Sequence, residues 1–113
     1  MEKIVVQGLL YDFYGELLTE HQRHVYEDVV FNDMSLSEIA EEQGISRQGV
    51  HDLIKRCDRL LVGYEEKLKL VSKFNQTKKM VEDIKELAGH YKKSGDISLI
   101  DRIEQISEEI GQL

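Results

Sequence analysis

Ser35-Leu-Ser-Glu-Ile-Ala-Glu-Glu-Gln-Gly-Ile-Ser-Arg-Gln-Gly-Val-His-Asp-Leu-Ile-Lys-Arg-Cys-Asp-Arg-Leu-Leu61 decides the fold of this 113-residue chain. Two helical patterns meet there at one glycine. Ala40 is small where two helices must cross closely. Gly44, four residues later, can take the left-handed conformation that stops the first helix. Val50 and Leu53 then face back toward Ile39 and Ala40 from the second helix. Ser35 with Glu38 forms a capping box for the first helix, and Ser46 is placed to cap the second. This spacing predicts a helix-turn-helix, a unit that usually delivers its second helix into a nucleic-acid groove.

Upstream, the pattern predicts a helix from Ile4 to Tyr14 that buries Val5, Leu9, Leu10 and Phe13 before Gly15 breaks it. Thr19 with Gln22 is a second capping box, opening a helix through Phe31 with Val25, Val29 and Val30 inward. Asn32-Asp33 turns the chain into the Ser35 helix. Downstream, Val50, Ile54, Cys57, Leu61, Tyr64, Leu68 and Val71 repeat four, three, four, three, four, three. That heptad seam keeps its phase across Gly63 and favours one helix to about Phe74; a break at Gly63 is the alternative. Asn75-Gln-Thr77 is read as ending the seam. A further helix is expected from Lys78 to Tyr91 with Val81, Ile84, Leu87, Ala88 and Tyr91 on one face. Lys92-Lys-Ser-Gly-Asp96 is a turn cluster. Ser98 with Asp101 should cap a last helix whose Leu99, Ile103, Ile106, Ile110 and Leu113 form a narrow apolar stripe. The fold class is therefore all-α: a helix-turn-helix bundle, a long helix and a C-terminal helical hairpin. The expected boundary separates residues 1–75 from residues 76–113.

Composition sets the limits of function. No proline interrupts the helices, and the hydrophobic fraction of 41% supplies a core. The single cysteine, Cys57, excludes an internal disulfide and fits a reducing compartment. The opening Met1-Glu-Lys-Ile-Val-Val-Gln-Gly-Leu-Leu10 has too short an apolar run for a signal peptide, and no stretch approaches membrane-spanning length. The chain reads as cytoplasmic with no membrane association. No phosphate-binding glycine loop, zinc signature or nucleophile elbow occurs. No enzyme, catalytic residue or cofactor is expected. His21 and His24 lie three apart, but no third ligand stands at a convincing spacing, so no metal is assigned, and His90 is unsupported. Cys57, on the seam, reads as a small buried apolar residue.

The net charge of −7 is distributed unevenly. Residues 1–45 hold two Lys/Arg against ten Asp/Glu, residues 46–80 nine against four, and residues 81–113 four against eight. Positive charge thus begins at the second motif helix, where a phosphate-contacting surface belongs. On that helix the outward candidates for nucleic-acid contact are Ser46, Arg47, Gln48, His51, Lys55, Arg56 and Arg59. Arg47 and Gln48 lie in the first turn, which reaches base edges in this motif class. Arginine grips guanine and glutamine grips adenine bidentately. Lys55, Arg56 and Arg59 would meet phosphates. The alternative is a solvated polar face, or one that binds protein.

Leu18-Thr-Glu-His-Gln-Arg23, Ser35-Leu-Ser-Glu-Ile-Ala40 and Gly44-Ile-Ser-Arg-Gln-Gly-Val50 resemble the sigma-factor region that reads the −35 promoter element. With Leu10-Tyr-Asp-Phe-Tyr-Gly15 and Tyr64-Glu-Glu-Lys-Leu68, residues 4–75 more closely resemble the YlxM-like family of small Gram-positive bacterial proteins associated with the signal recognition particle. The resemblance implies a sigma region 4-like fold, no enzymatic activity, and a regulatory role in the particle's targeting pathway. Asp52 within the reading face and the acidic first 45 residues depart from a conventional promoter binder. The implied partners are DNA or structured RNA, or the particle's GTPase or its RNA. A homodimer through the two apolar seams, with Leu99, Ile103, Ile106 and Ile110 as contacts on the second, is weighed against closure of both seams within one chain.

Overall fold

The computed structural model describes residues 2–113. Six α-helices follow in order: α1 (Lys3–Tyr14), α2 (Glu20–Val30), α3 (Leu36–Gln43), α4 (Arg47–Leu68), α5 (Leu70–Ser94) and α6 (Ser98–Gly111). A 3-10 turn, Gly15–Leu17, links α1 to α2, and no strand occurs among the described residues. The chain divides into two compact units, one ending at Val71 and the other spanning Ser72–Leu113.

In the first unit the local signals act as expected. Thr19 accepts from the Gln22 amide while the Gln22 side chain accepts from the Thr19 amide, and Ser35 with Glu38 repeats the arrangement. The two boxes satisfy amides at each helix start that have no partner inside the helix. Gly44 ends α3 at φ 68°, and the Ile45 amide then bonds the Ala40 carbonyl at 3.1 Å. Helices α1, α2 and α3 all pack on α4, whose Val50, Ile54, Cys57 and Leu61 are buried. They meet Leu10 and Tyr14 of α1, Val25, Tyr26 and Val30 of α2, and Ile39 and Ala40 of α3. Each fully buried side chain of this size contributes about 1.5–3 kcal/mol. The first four positions of the heptad seam are therefore buried within the chain.

Two expectations for this unit are corrected. Val5 is 52% exposed, and Gln7 is buried in its place. The face of α1 turned to α4 carries Gln7, Leu10 and Tyr14, three and four residues apart, and Val5 lies on the opposite side. Gln7 belongs there because its amide donates to Asp58 Oδ1 at 3.0 Å and Oδ2 at 3.2 Å. The second correction concerns α4, which passes through Gly63 without interruption but stops at Leu68, short of Phe74. Lys69 turns into the left-handed region at φ 55°, and Val71 is buried beyond the turn while Leu68 is exposed. A non-glycine residue in that region costs roughly 1–2 kcal/mol. Side chains from α1 and α4 offset it. Tyr14 Oη accepts from the Leu70 amide at 3.1 Å, and Glu65 Oε1 accepts from the Val71 amide at 3.0 Å. Tyr14 in turn donates to Glu65 Oε1 at 2.5 Å. The first amides of α5 are thus capped from residues far away in sequence.

In the second unit, α5 runs straight through Asn75-Gln-Thr77, where a break was expected. The Thr77 hydroxyl donates to the Lys73 carbonyl at 2.8 Å, so its own hydrogen-bonding need is met within the helix. Ile84, Leu87, Ala88 and Tyr91 are half-buried as read, but Met80 joins them and Val81 is 54% exposed. Gly95, at φ 68°, turns the chain. Ser98 does not cap α6: the N-cap is Ile97, and the Ser98 amide and hydroxyl donate to the Asp96 carboxylate at 3.0 and 2.7 Å. On α6, Ile106 is buried and Leu99, Ile103 and Ile110 are half-buried, so the hairpin covers much of the stripe by itself.

Candidate nucleic-acid interface

Ser46 is exposed at the cap of α4, and Arg47, Gln48, His51, Lys55, Arg56 and Arg59 are all exposed on the helix itself. At 3.6 residues per turn they fill one half of the helix circumference, and Val50, Leu53, Ile54, Cys57 and Leu61 fill the other. The tight turn at Gly44 places the first turn of α4 directly after α3. Ser46 caps α4, its hydroxyl accepting from the Gly49 amide at 2.9 Å. A Cβ at Gly49 would lie 3.2 Å from the Ser46 hydroxyl and 3.8 Å from the Ile45 side chain, so the capping turn itself crowds this position.

Arg47, Gln48 and His51 line an open cavity of about 390 Å³ together with Leu36, at the start of α3. Side chains at the start of α4 thus share a concave surface with an apolar group. Gln48 is not idle: its amide donates to Asp52 Oδ1 at 2.9 Å, and His51 Nδ1 lies 3.8 Å from the same oxygen. Asp52 therefore holds the glutamine that would read a base and adds negative charge to the face. Further along, no ion pair engages Arg47, Lys55, Arg56 or Arg59 among the described residues. Four cations stand ready for an external anion.

Two carboxylates on α4 that the sequence pattern did not single out tie the helix to its neighbours. Asp58 accepts from Tyr26 Oη at 2.6 Å as well as from Gln7. Burial, with the Asp58 carboxylate beside it, pushes the Tyr26 phenol well up from its ordinary value. Glu65 is the second, bonded to Tyr14 and the start of α5. Burial also pushes the Cys57 thiol up to about 11, which leaves it protonated and unreactive at neutral pH. Among the described residues no buried polar side-chain atom lacks a partner. A group suited to metal binding is formed by His24, Asp28 and Glu42. His21 stands outside it.

A family model described as "Putative helix-turn-helix protein, YlxM / p13 like" (UPF0122) matches residues 1–103. The chain belongs to this family. It is 43% identical over 107 residues to UPF0122 protein YlxM of Bacillus subtilis, covering 94% of this chain and 97% of that protein. A UPF0122 protein of Acetivibrio thermocellus is 44% identical over 114 residues, covering 97% of each. UPF0122 protein TTE1463 of Caldanaerobacter subterraneus is 55% identical over 78 residues, which are 69% of this chain and 67% of the relative. As a member of the YlxM-like family the protein is a helix-turn-helix chain of all-α class. No described helix is long and apolar enough to cross a membrane.

Proposed function

We propose that this protein binds nucleic acid through the outward half of α4 and acts, without enzymatic activity, as a cytoplasmic accessory of the signal-recognition-particle pathway. The observation that carries the binding is the arrangement of α4: a capped N-terminus in a helix-turn-helix, with Arg47 in the first turn and Lys55, Arg56 and Arg59 exposed behind it. Arg47 and Gln48 meet base edges and the three later cations meet phosphates. DNA or structured RNA, the particle's own RNA included, fits this chemistry. The pathway assignment rests on the resemblance to the YlxM-like family.

Crosslinking in cells with recovery of both RNA and protein tests the reading, followed by mobility shifts with the recovered sequence. Arg47→Glu with Arg56→Glu should abolish the shift. Absence of any complex at low salt with duplex DNA or structured RNA would refute it.

One observation favours a second reading. Residues 1–45 carry two positive against ten negative side chains, and Asp52 engages Gln48. An acidic α1–α3 surface would suit a basic partner such as the particle's GTPase, with no base reading at all. The charge reversal on α4 separates the two, because an acidic-face contact should survive it. A homodimer would draw on the remaining exposure of Leu99, Ile103 and Ile110, with Ile106 already inside the hairpin. Sedimentation of a single monomeric species at high micromolar concentration would exclude it.

A further inference from the structure

We infer that His24, Asp28 and Glu42 form a binding site for a divalent transition-metal ion, of the zinc class, that ties α2 to α3. His24 and Asp28 are one helical turn apart on α2, and Glu42 comes from the C-terminal half of α3. His24 Nε2 lies 3.5 Å from Asp28 Oδ2 and 3.5 Å from Glu42 Oε1. Both separations exceed the 2.7–3.2 Å of a good N–H···O hydrogen bond, so one imidazole nitrogen sits evenly between two carboxylates without bonding well to either. They suit a shared cation. Ligands about 2.0–2.1 Å from a tetrahedral zinc stand about 3.3 Å from one another. The three donor atoms all lie within 4.8 Å of each other, so closure onto an ion needs only small side-chain movements.

The surroundings support a ligand role. The Asp28 side chain is only 9% exposed, and its other oxygen, Oδ1, accepts from Asn32 Nδ2 at 2.9 Å. The carboxylate is thereby held with Oδ2 toward His24, as outer partners orient metal ligands. The side chains of His24 and Glu42 are 55% and 49% exposed, which leaves a path for the ion and positions for water. An imidazole in the set selects first-row transition ions over Mg²⁺ and Ca²⁺, which prefer oxygen ligands throughout. None of the three residues belongs to the candidate contacts on α4, so this inference stands apart from nucleic-acid binding.

Calorimetric titration of the intact chain with zinc chloride, paired with thermal melts, tests it. At zinc about a hundredfold above Kd, linkage raises Tm by about 10 °C. Glu42→Gln and His24→Ala should each weaken binding at least tenfold, and His21→Ala should leave it unchanged. Glu42 is exposed and its glutamine is nearly isosteric, so that variant keeps the fold. Co²⁺ gives a readout that needs no variant, since ligation by the site produces visible d–d absorption that zinc displaces. No heat and no Tm shift at submillimolar zinc would overturn the inference. Equal binding by Glu42→Gln, or preference for Mg²⁺ over zinc, would do the same.

Discussion

Removing Arg56 and Arg59 should change the salt dependence of nucleic-acid binding by a calculable amount. Three cations assigned to phosphates, Lys55, Arg56 and Arg59, are exposed on the outward half of α4. If each neutralises one duplex phosphate, log K falls against log salt with a slope of about −2.7, from about −0.9 per phosphate. Raising salt from about 50 to 200 mM then weakens binding by about 40-fold. Arg56→Gln with Arg59→Gln leaves one contact, a slope of about −0.9 and a loss of about three- to fourfold over the same interval. Fluorescence anisotropy with a labelled duplex across a potassium chloride series measures both slopes. Single-stranded RNA lowers each by the ratio of about 0.7 to 0.9. A slope unchanged by the double variant would show that α4 does not meet the phosphates, whatever the affinity.

Three further outcomes follow from the packing. Tyr14→Phe removes the phenol oxygen that accepts from the Leu70 amide and donates to Glu65, and should destabilise the chain by about 1–3 kcal/mol in urea unfolding. Ser46→Ala should cost about 1 kcal/mol through loss of the α4 cap, with circular dichroism showing unchanged helix content at low temperature. The Glu38 carboxyl is held below its ordinary value by the Ser35 amide, with the Ser35 hydroxyl contributing. Because the folded value is the lower one, that stabilisation is full above the unfolded carboxylate range and disappears as pH falls through the folded value. An NMR titration of Glu38 with a midpoint at or above 4.5, the ordinary value, would contradict the capping box.

Much of the local chemistry was readable from the sequence where the partners lie within a few residues, though not the Gln48–Asp52 pair or the bonds between Asp96 and Ser98. The boxes at Thr19 and Ser35, the stop at Gly44 and the cap at Ser46 each depend on a span of four residues or fewer. The seam through Val50, Ile54, Cys57 and Leu61 was legible because helix periodicity reports burial directly. The larger misses depend on partners far off in the chain. The turn at Lys69 needs Tyr14 to receive the Leu70 amide, and nothing near Lys69 announces this. The polar triplet Asn75-Gln-Thr77 resembles a break, yet it lies on an exposed stretch of α5 that tolerates such residues. The grouping of His24 and Asp28 with Glu42 was not legible, because Glu42 arrives from another helix. The seven candidate contacts were found from one helix face, whereas the pairing of Gln48 with Asp52 required side-chain positions.

Asp58 has a consequence for how α4 is aimed. Apolar side chains pack adequately over a range of azimuths, but a carboxylate between Tyr26 and Gln7 accepts only one. Rolling α4 by a single residue, about 100°, would strand Asp58 away from both donors and leave Tyr26 with a buried, unanswered hydroxyl. The bond set acts as an indexing pin: it chooses which half of the cylinder looks outward, and so which side chains a polyanion would encounter first.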